Sequence, residues 1–116
     1  MEFDEYQEKA YTTATYPHVG SNILYPAIGI AGEAGELLDK IKKIWRNSGV
    51  PVQRLEAQLT EEEVLEIVKE LGDVLWNVGA LCTELGISMQ EMVDINIAKF
   101  EDRRKRGVIK GEGDNR

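Results

Sequence analysis

The apolar residues of this 116-residue chain recur at intervals of three and four and almost never alternate. Such spacing lines them along one side of a helix, whereas a half-buried strand needs a period of two. The chain is therefore expected to be all-α. Helix punctuation in the same sequence agrees. Thr60-Glu61-Glu62-Glu63 and Ser88-Met89-Gln90-Glu91 both read as capping boxes, in which a hydroxyl and a glutamate three residues on satisfy free amide donors at a helix start.

These signals set the boundaries. A first helix is expected over about residues 2–15, stopped ahead of Pro17 because the residue before a proline is pushed out of helical geometry. A second runs from near Asn22 to Asn47, with Pro26 kinking its first turns and Gly49-Val50-Pro51 as its stop. Residues 48–59 lack periodicity and read as a loop with room for one helical turn. The third helix runs from Thr60 to about Leu85, closed by Gly86, and the fourth from Ser88 to about Arg106. The expectation is a four-to-five-helix bundle in one domain, residues 1–106, with a flexible glycine-rich tail over 107–116.

A net charge of −7 and a pI near 4.8 argue against nucleic acid or a membrane surface as partner, since attraction to phosphate at long range needs a positive field. A phosphorylated small molecule remains open if divalent cations intervene and reverse the local potential. The lone Cys82, among Val78 and Leu81, forms no internal disulfide and reads as a core thiol in a reducing compartment. The acidic start and the absence of a membrane-length apolar run make the expected location cytoplasmic. A domain this small buries a modest share of its surface, so apolar faces left over would favour a second copy of the chain.

At roughly 100° per residue, Ile30, Ala34, Leu37, Leu38, Ile41, Ile44 and Trp45 form the apolar arc of the second helix, with Glu33 and Glu36 at its edge. In the third helix Ile67, Leu71, Val74, Val78, Leu81, Cys82 and Leu85 form the arc, with Glu70 and Asp73 at the matching edge. Antiparallel packing of the two arcs would bring four carboxylates together, and like charges at that range demand protonation or cations among them. Solvated pairs of this spacing are common in a chain with 21 acidic residues. Two features favour metal: the pairs border the apolar stripe, and Gly32, Gly35 and Gly72 beside them clear space at a cost to helix stability.

An all-oxygen donor set suits Mg2+, Mn2+ or Ca2+, whereas zinc and iron sites recruit histidine or cysteine, and His18 is the only histidine. On the fourth helix Asn96, Lys99 and Arg103 share a face and form a cationic row suited to a polyphosphate, or alternatively a basic helix end meeting its own macrodipole. Asn77, one turn beyond Asp73, is placed for a polar contact beside the metals. Trp45, Trp76 and the tyrosines suit either a nucleobase or packing, and Trp45 is expected in the core.

With these residues in view, the chain resembles the MazG-like nucleoside triphosphate pyrophosphohydrolases of the all-α NTP pyrophosphatase superfamily. The resemblance rests on "GEAGEL" with Glu33-x-x-Glu36, "KELGDVLWN" with Glu70-x-x-Asp73, and "NIAKFEDRRKRGVIKGEGDNR" with its Asn-x-x-Lys-x-x-x-Arg element. It implies that Glu33, Glu36, Glu70 and Asp73 bind Mg2+, with Mn2+ as a substitute, and that Asn96, Lys99 and Arg103 contact a triphosphate. It implies cleavage between the α- and β-phosphates to a monophosphate and pyrophosphate, with Glu33 and Glu36 as catalytic carboxylates and Glu36 preferred for handling the water. The tail resembles that of short relatives, implying closure over the phosphates by Lys110 and Arg116. The family assembles as homo-oligomers, dimers or tetramers, with clefts lined partly by a second subunit. The alternatives are a dimeric dUTPase-type relative and a non-catalytic helical association module.

Overall fold

The computed structural model describes residues 1–116 and contains helices and turns without a strand. Its long helices are α1 (Phe3–Tyr11), α2 (Leu24–Ser48), α4 (Glu61–Glu84) and α5 (Met89–Arg106), with a 3-10 turn (Val52–Arg54) and a one-turn α3 (Leu55–Gln58) between α2 and α4. The all-α expectation holds. Both capping boxes are formed: Thr60 Oγ1 accepts from Glu63 N at 3.1 Å and Ser88 Oγ accepts from Glu91 N at 3.0 Å. Each such cap is worth about 1 kcal/mol to its helix. Gly49 and Gly86 take φ values of 69° and 73°, the left-handed conformation that lets the chain leave α2 and turn behind α4 without a side-chain clash.

Three element boundaries and the burial of one side chain differ from the sequence-based expectation. The first helix stops at Tyr11, because Thr12 and Thr13 turn their hydroxyls back onto the carbonyls of Lys9 and Ala10 and end it before Pro17 can act. The second begins at Leu24, so Pro26 lies in its first turn, where the missing N–H breaks no bond and no kink is required. The 48–59 connection gains structure because Leu55 finds a buried seat, which aperiodic sequence does not advertise. Trp45 is 46% exposed rather than in the core, its indole N–H spent on Val50 O at 2.9 Å as a clasp over the end of α2.

The backbone of the fold is the α2–α4 pair. Gly29 faces Asn77, and Lys40 bonds to Glu66 and Glu70, so rising numbers on α2 meet falling numbers on α4 and the helices run antiparallel. α1 lies across the far end of α4 and the start of α5. Gln7 fastens it there: its Nε2 donates to Thr83 Oγ1 and Ile87 O, and its Oε1 accepts from Met89 N, all at 2.8–3.0 Å. Met89 is fully buried at this corner, its sulfur 3.2 Å from where a Cβ on Gly79 would stand. Cys82 is buried with Met92 nearby, and burial pushes its thiol pKa up, as a core thiol requires.

The molecule is open and flat, 46 × 43 × 27 Å along its principal axes. Its radius of gyration is 17.3 Å, against about 13 Å for a compact chain of this length. Apolar side chains remain bare as a result. Val64, Val68, Leu71 and Leu75, spaced 4-3-4 along one face of α4, are each more than a third exposed, nearly opposite Asp73 around the helix. The predicted buried arc of this helix thus loses Leu71, together with the exposed Leu85, and on α2 Leu38 is exposed as well. No helix is long and apolar enough to cross a membrane.

Candidate active site

Antiparallel packing places the acidic pairs of α2 and α4 opposite each other. One oxygen from each of Glu33, Glu70 and Asp73 falls within 4.8 Å of the others. Glu70 is buried, Glu33 is half-buried and Asp73 is exposed. Glu33 Oε2 and Glu70 Oε2 are screened from solvent yet accept no hydrogen bond. Buried carboxylate oxygens without a donor are costly and rarely left so in a folded protein. Glu33 feels the cost directly: burial first, then the negative charges of Glu36, Asp73 and Glu70, raise its pKa above the usual carboxylate value. A cation among these oxygens removes both penalties, and the all-oxygen donor set fits a hard divalent ion. Glu36, exposed, stands beside the three and is not one of them.

The cluster opens into a cavity of about 720 Å3. Glu33, Glu36, Asp73 and Asn77 line its acidic end. Tyr16, Tyr25, Trp76 and Ile28 line another part, with the Thr13 and Thr15 side chains beside them. Gly29 and Gly32 form the α2 wall between. A methyl on Gly29 would stand 2.0 Å from Asn77 Oδ1, so this glycine is what lets Asn77 sit against α2, where its Nδ2 donates to Asp73 O at 3.0 Å. A methyl on Gly32 would meet no protein atom and would project into open space, and the same holds for Gly35 and Gly72, which do not line the cavity. The room cleared for the acidic site is therefore at Gly29 and Gly32.

The aromatic wall is built from rings in mutual contact. Tyr16 stacks on Tyr25 with ring centroids 4.9 Å apart and meets Trp76 edge-on at 6.4 Å. Trp76 Nε1 donates to Ala10 O and Thr13 Oγ1, tying α4 to the end of α1. The loop carrying Tyr16 is gathered onto one carboxylate, Glu84, which accepts from the Tyr11 and Tyr16 hydroxyls and from the amides of Gly20 and Asn22. Those donors hold the Glu84 pKa below its usual value, Tyr16 contributing most, while burial and then Glu84 raise that of the Tyr16 phenol. Glu84 carries no signal in the sequence, because its partners lie more than 60 residues away.

Lys40 also escaped sequence reading. Its Nζ bonds Glu70 Oε1 at 2.8 Å and Glu66 Oε2 at 3.3 Å. The available signal was its position seven residues after Glu33, two turns on along the same face.

The cationic row is elsewhere. Neither Lys99 nor Arg103 lines the cavity. Both reach Asp114 Oδ1, at 3.2 and 3.3 Å, and Arg103, buried, also donates to Asp114 O at 3.0 Å. Their hydrogen bonds, that of Lys99 first, and then their charges hold the Asp114 carboxyl below its usual pKa. Arg116 bonds to the carbonyls of Val108, Ile109 and Gly113 and so ties the tail to itself. Asn96 and Lys110 are exposed, and neither lines the cavity. Within one chain, then, the fold joins the four carboxylates and Asn77, and holds Asn96, Lys99, Arg103, Lys110 and Arg116 apart from them.

Comparison with known proteins agrees with this acidic cavity. The family model described as the MazG nucleotide pyrophosphohydrolase domain matches residues 26–108, which include both acidic pairs. The chain belongs to this family. The chain is also similar to the Gene 37 protein of Mycobacterium phage L5, 37% identical over 121 residues covering the whole of both chains. No solved structure matches it. Members of the family are metal-dependent nucleotide pyrophosphohydrolases, and the chain carries a cluster of carboxylates whose chemistry fits such an ion.

Proposed function

We propose that the chain hydrolyses nucleoside or deoxynucleoside triphosphates between the α- and β-phosphates, with Mg2+, to a monophosphate and pyrophosphate, and so cleans or adjusts a cytoplasmic nucleotide pool. The observation that carries this reading is one cavity with carboxylates at one end and fixed aromatic rings along another wall. Glu33, Glu36, Glu70 and Asp73 are the residues to hold the ion, with Mn2+ as a substitute. Bound there, the ion would offset phosphate charge and lower the pKa of an attacking water. Glu36 borders the cavity outside the tight trio, which suits it to orient the water and take its proton. Asn77 is positioned to bond the substrate, and the ring wall to meet the nucleoside.

The same reading extends to assembly. The bare 4-3-4 row on α4 and the open, flat shape support a dimer or tetramer. With α5 leaving the bundle, Lys99 and Arg103, together with Asn96, Lys110 and Arg116, would serve the triphosphate in the cleft of a second copy after release from Asp114. Mixing Asp73→Asn and Lys99→Ala subunits tests this: shared clefts restore turnover, and two inactive proteins that stay inactive when mixed argue against them.

The deciding experiment is a panel of nucleoside triphosphates and deoxynucleoside triphosphates with Mg2+, read for monophosphate and pyrophosphate. Release of orthophosphate would contradict the proposed bond. Marked preference for dUTP would favour the dUTPase-type alternative, and absence of any Mg2+-dependent nucleotide binding would leave an association module.

A further inference from the structure

Glu70 is held asymmetrically. One oxygen, Oε1, is taken by the Lys40 ammonium at 2.8 Å, and the other, Oε2, is buried and bare within the cluster. Lys40 is itself fixed from a second side by Glu66 Oε2 at 3.3 Å, and Glu66 is fixed in turn by Lys69 at 3.3 Å. Lys40 lies outside the trio of cluster ligands and does not line the cavity. Its ammonium therefore does one thing at the site: it occupies half of the most buried carboxylate.

That occupation limits what Glu70 can offer an ion. A carboxylate with both oxygens free can grip through one or two of them; with Oε1 bound to Lys40, only Oε2 is left to give. Ca2+ takes six to eight oxygens at variable distances and readily uses paired oxygens of one carboxylate, whereas Mg2+ is smaller, wants near-octahedral single contacts and keeps several waters. We infer that Lys40 is a positioning residue that restricts Glu70 to one ligating oxygen and thereby sets the preference of the site for small divalent ions over Ca2+. The inference rests on the metal-site reading above and adds to it the residue that selects the ion.

Removing the lysine has two consequences that must be separated. Loss of a positive charge strengthens the pull on every divalent cation, and because Mg2+ and Ca2+ carry the same charge this effect cancels in the ratio of their dissociation constants. The geometric consequence does not cancel. Once Oε1 is free, Ca2+ gains a ligand that Mg2+ has little use for.

The test is calorimetric titration of the whole protein with MgCl2 and, separately, CaCl2, without nucleotide, alongside circular dichroism to confirm the helical fold. In Lys40→Met, which keeps an unbranched apolar stem one atom shorter and removes the ammonium, the ratio is expected to move toward Ca2+ by about tenfold, the lower end of what supporting residues around metal ligands usually contribute. Glu66→Gln, which leaves Lys40 on Glu70, is expected to keep the original ratio. Equal shifts for both ions in Lys40→Met, an equal change of ratio in Glu66→Gln, or no binding of either ion by the unaltered protein would each overturn the assignment. A shifted ratio in a protein that cleaves no nucleotide would uphold the role of Lys40 while removing the hydrolase reading.

Discussion

Glu33 and Glu84 are two glutamates of one molecule that the fold treats in opposite ways. Glu84 is surrounded by four donors and spends its charge on holding the loop behind Tyr16. Glu33 is pressed against three other carboxylates, with one oxygen buried and bare. The Glu84 carboxylate is satisfied by the chain that carries it, and that of Glu33 is left in deficit by it. The deficit, rather than the acidic spacing, distinguishes the site from the many solvated pairs in a chain this acidic.

Substitution in the cluster is the strongest way to break the contrast. Asp73→Asn and Glu36→Gln are each expected to lower nucleotide turnover at least about a hundredfold, the loss typical when one preorganised electrostatic group is removed, with helical circular dichroism unchanged. Turnover near that of the unaltered protein would remove the residue from the chemistry. At the other pole, Glu84→Ala leaves the Tyr16 hydroxyl and two loop amides without their acceptor. It is expected to lower Tm and to change Trp76 fluorescence, since Tyr16 packs on that ring, and to raise KM more than it lowers kcat.

The two carboxylates also predict opposite pH trends in metal-free protein. Glu84 has its pKa lowered by folding from 4.5, so its contribution is present above the ordinary value and is lost as pH falls through the lowered one. Glu33 has its pKa raised from 4.5, so its contribution is present below the ordinary value and is lost as pH rises through the raised one. Thermal melts should therefore show Mg2+ stabilising the protein more at pH 7.5 than near pH 5, because protons compete more strongly for a carboxyl whose pKa is raised. Equal stabilisation at both would contradict the deficit assigned to Glu33.

The smallest expected effects separate the glycines. Gly32→Ala and Gly35→Ala meet no protein atom, and each should stabilise α2 by up to about 1 kcal/mol, the helical advantage of alanine over glycine. Only Gly32 borders the cavity. Gly32→Ala should therefore raise both Tm and KM, while Gly35→Ala raises Tm alone. A matched change in KM would dissolve the distinction.

Much of this was legible in the sequence because its causes are local. The two capping boxes, the glycine ends and the edge positions of Glu33, Glu36, Glu70 and Asp73 depend on residues within a few turns of one another. Illegible features depend on distant partners: Leu55 finding a seat, Glu84 gathering a loop over 60 residues away, Lys40 crossing to Glu70. The exposed row of α4 was hidden for a different reason. An apolar arc read from periodicity does not say which of its residues the chain itself covers, and Leu71 falls on the side it leaves bare.

The fastening of α1 by Gln7 has a consequence for how the protein is made. Its partners Thr83, Ile87 and Met89 lie 76 to 82 residues further along the chain. Contacts so distant in sequence form late, because a long loop must close before they return any energy. During synthesis the first helix emerges with nothing to rest on, while α2 meets α4 as soon as that helix has left the ribosome. The N-terminal segment is thus set in place only once the end of α4 and the start of α5 exist, and the loop that follows it, which carries the Tyr16 wall of the cavity, waits for Glu84 at the end of α4.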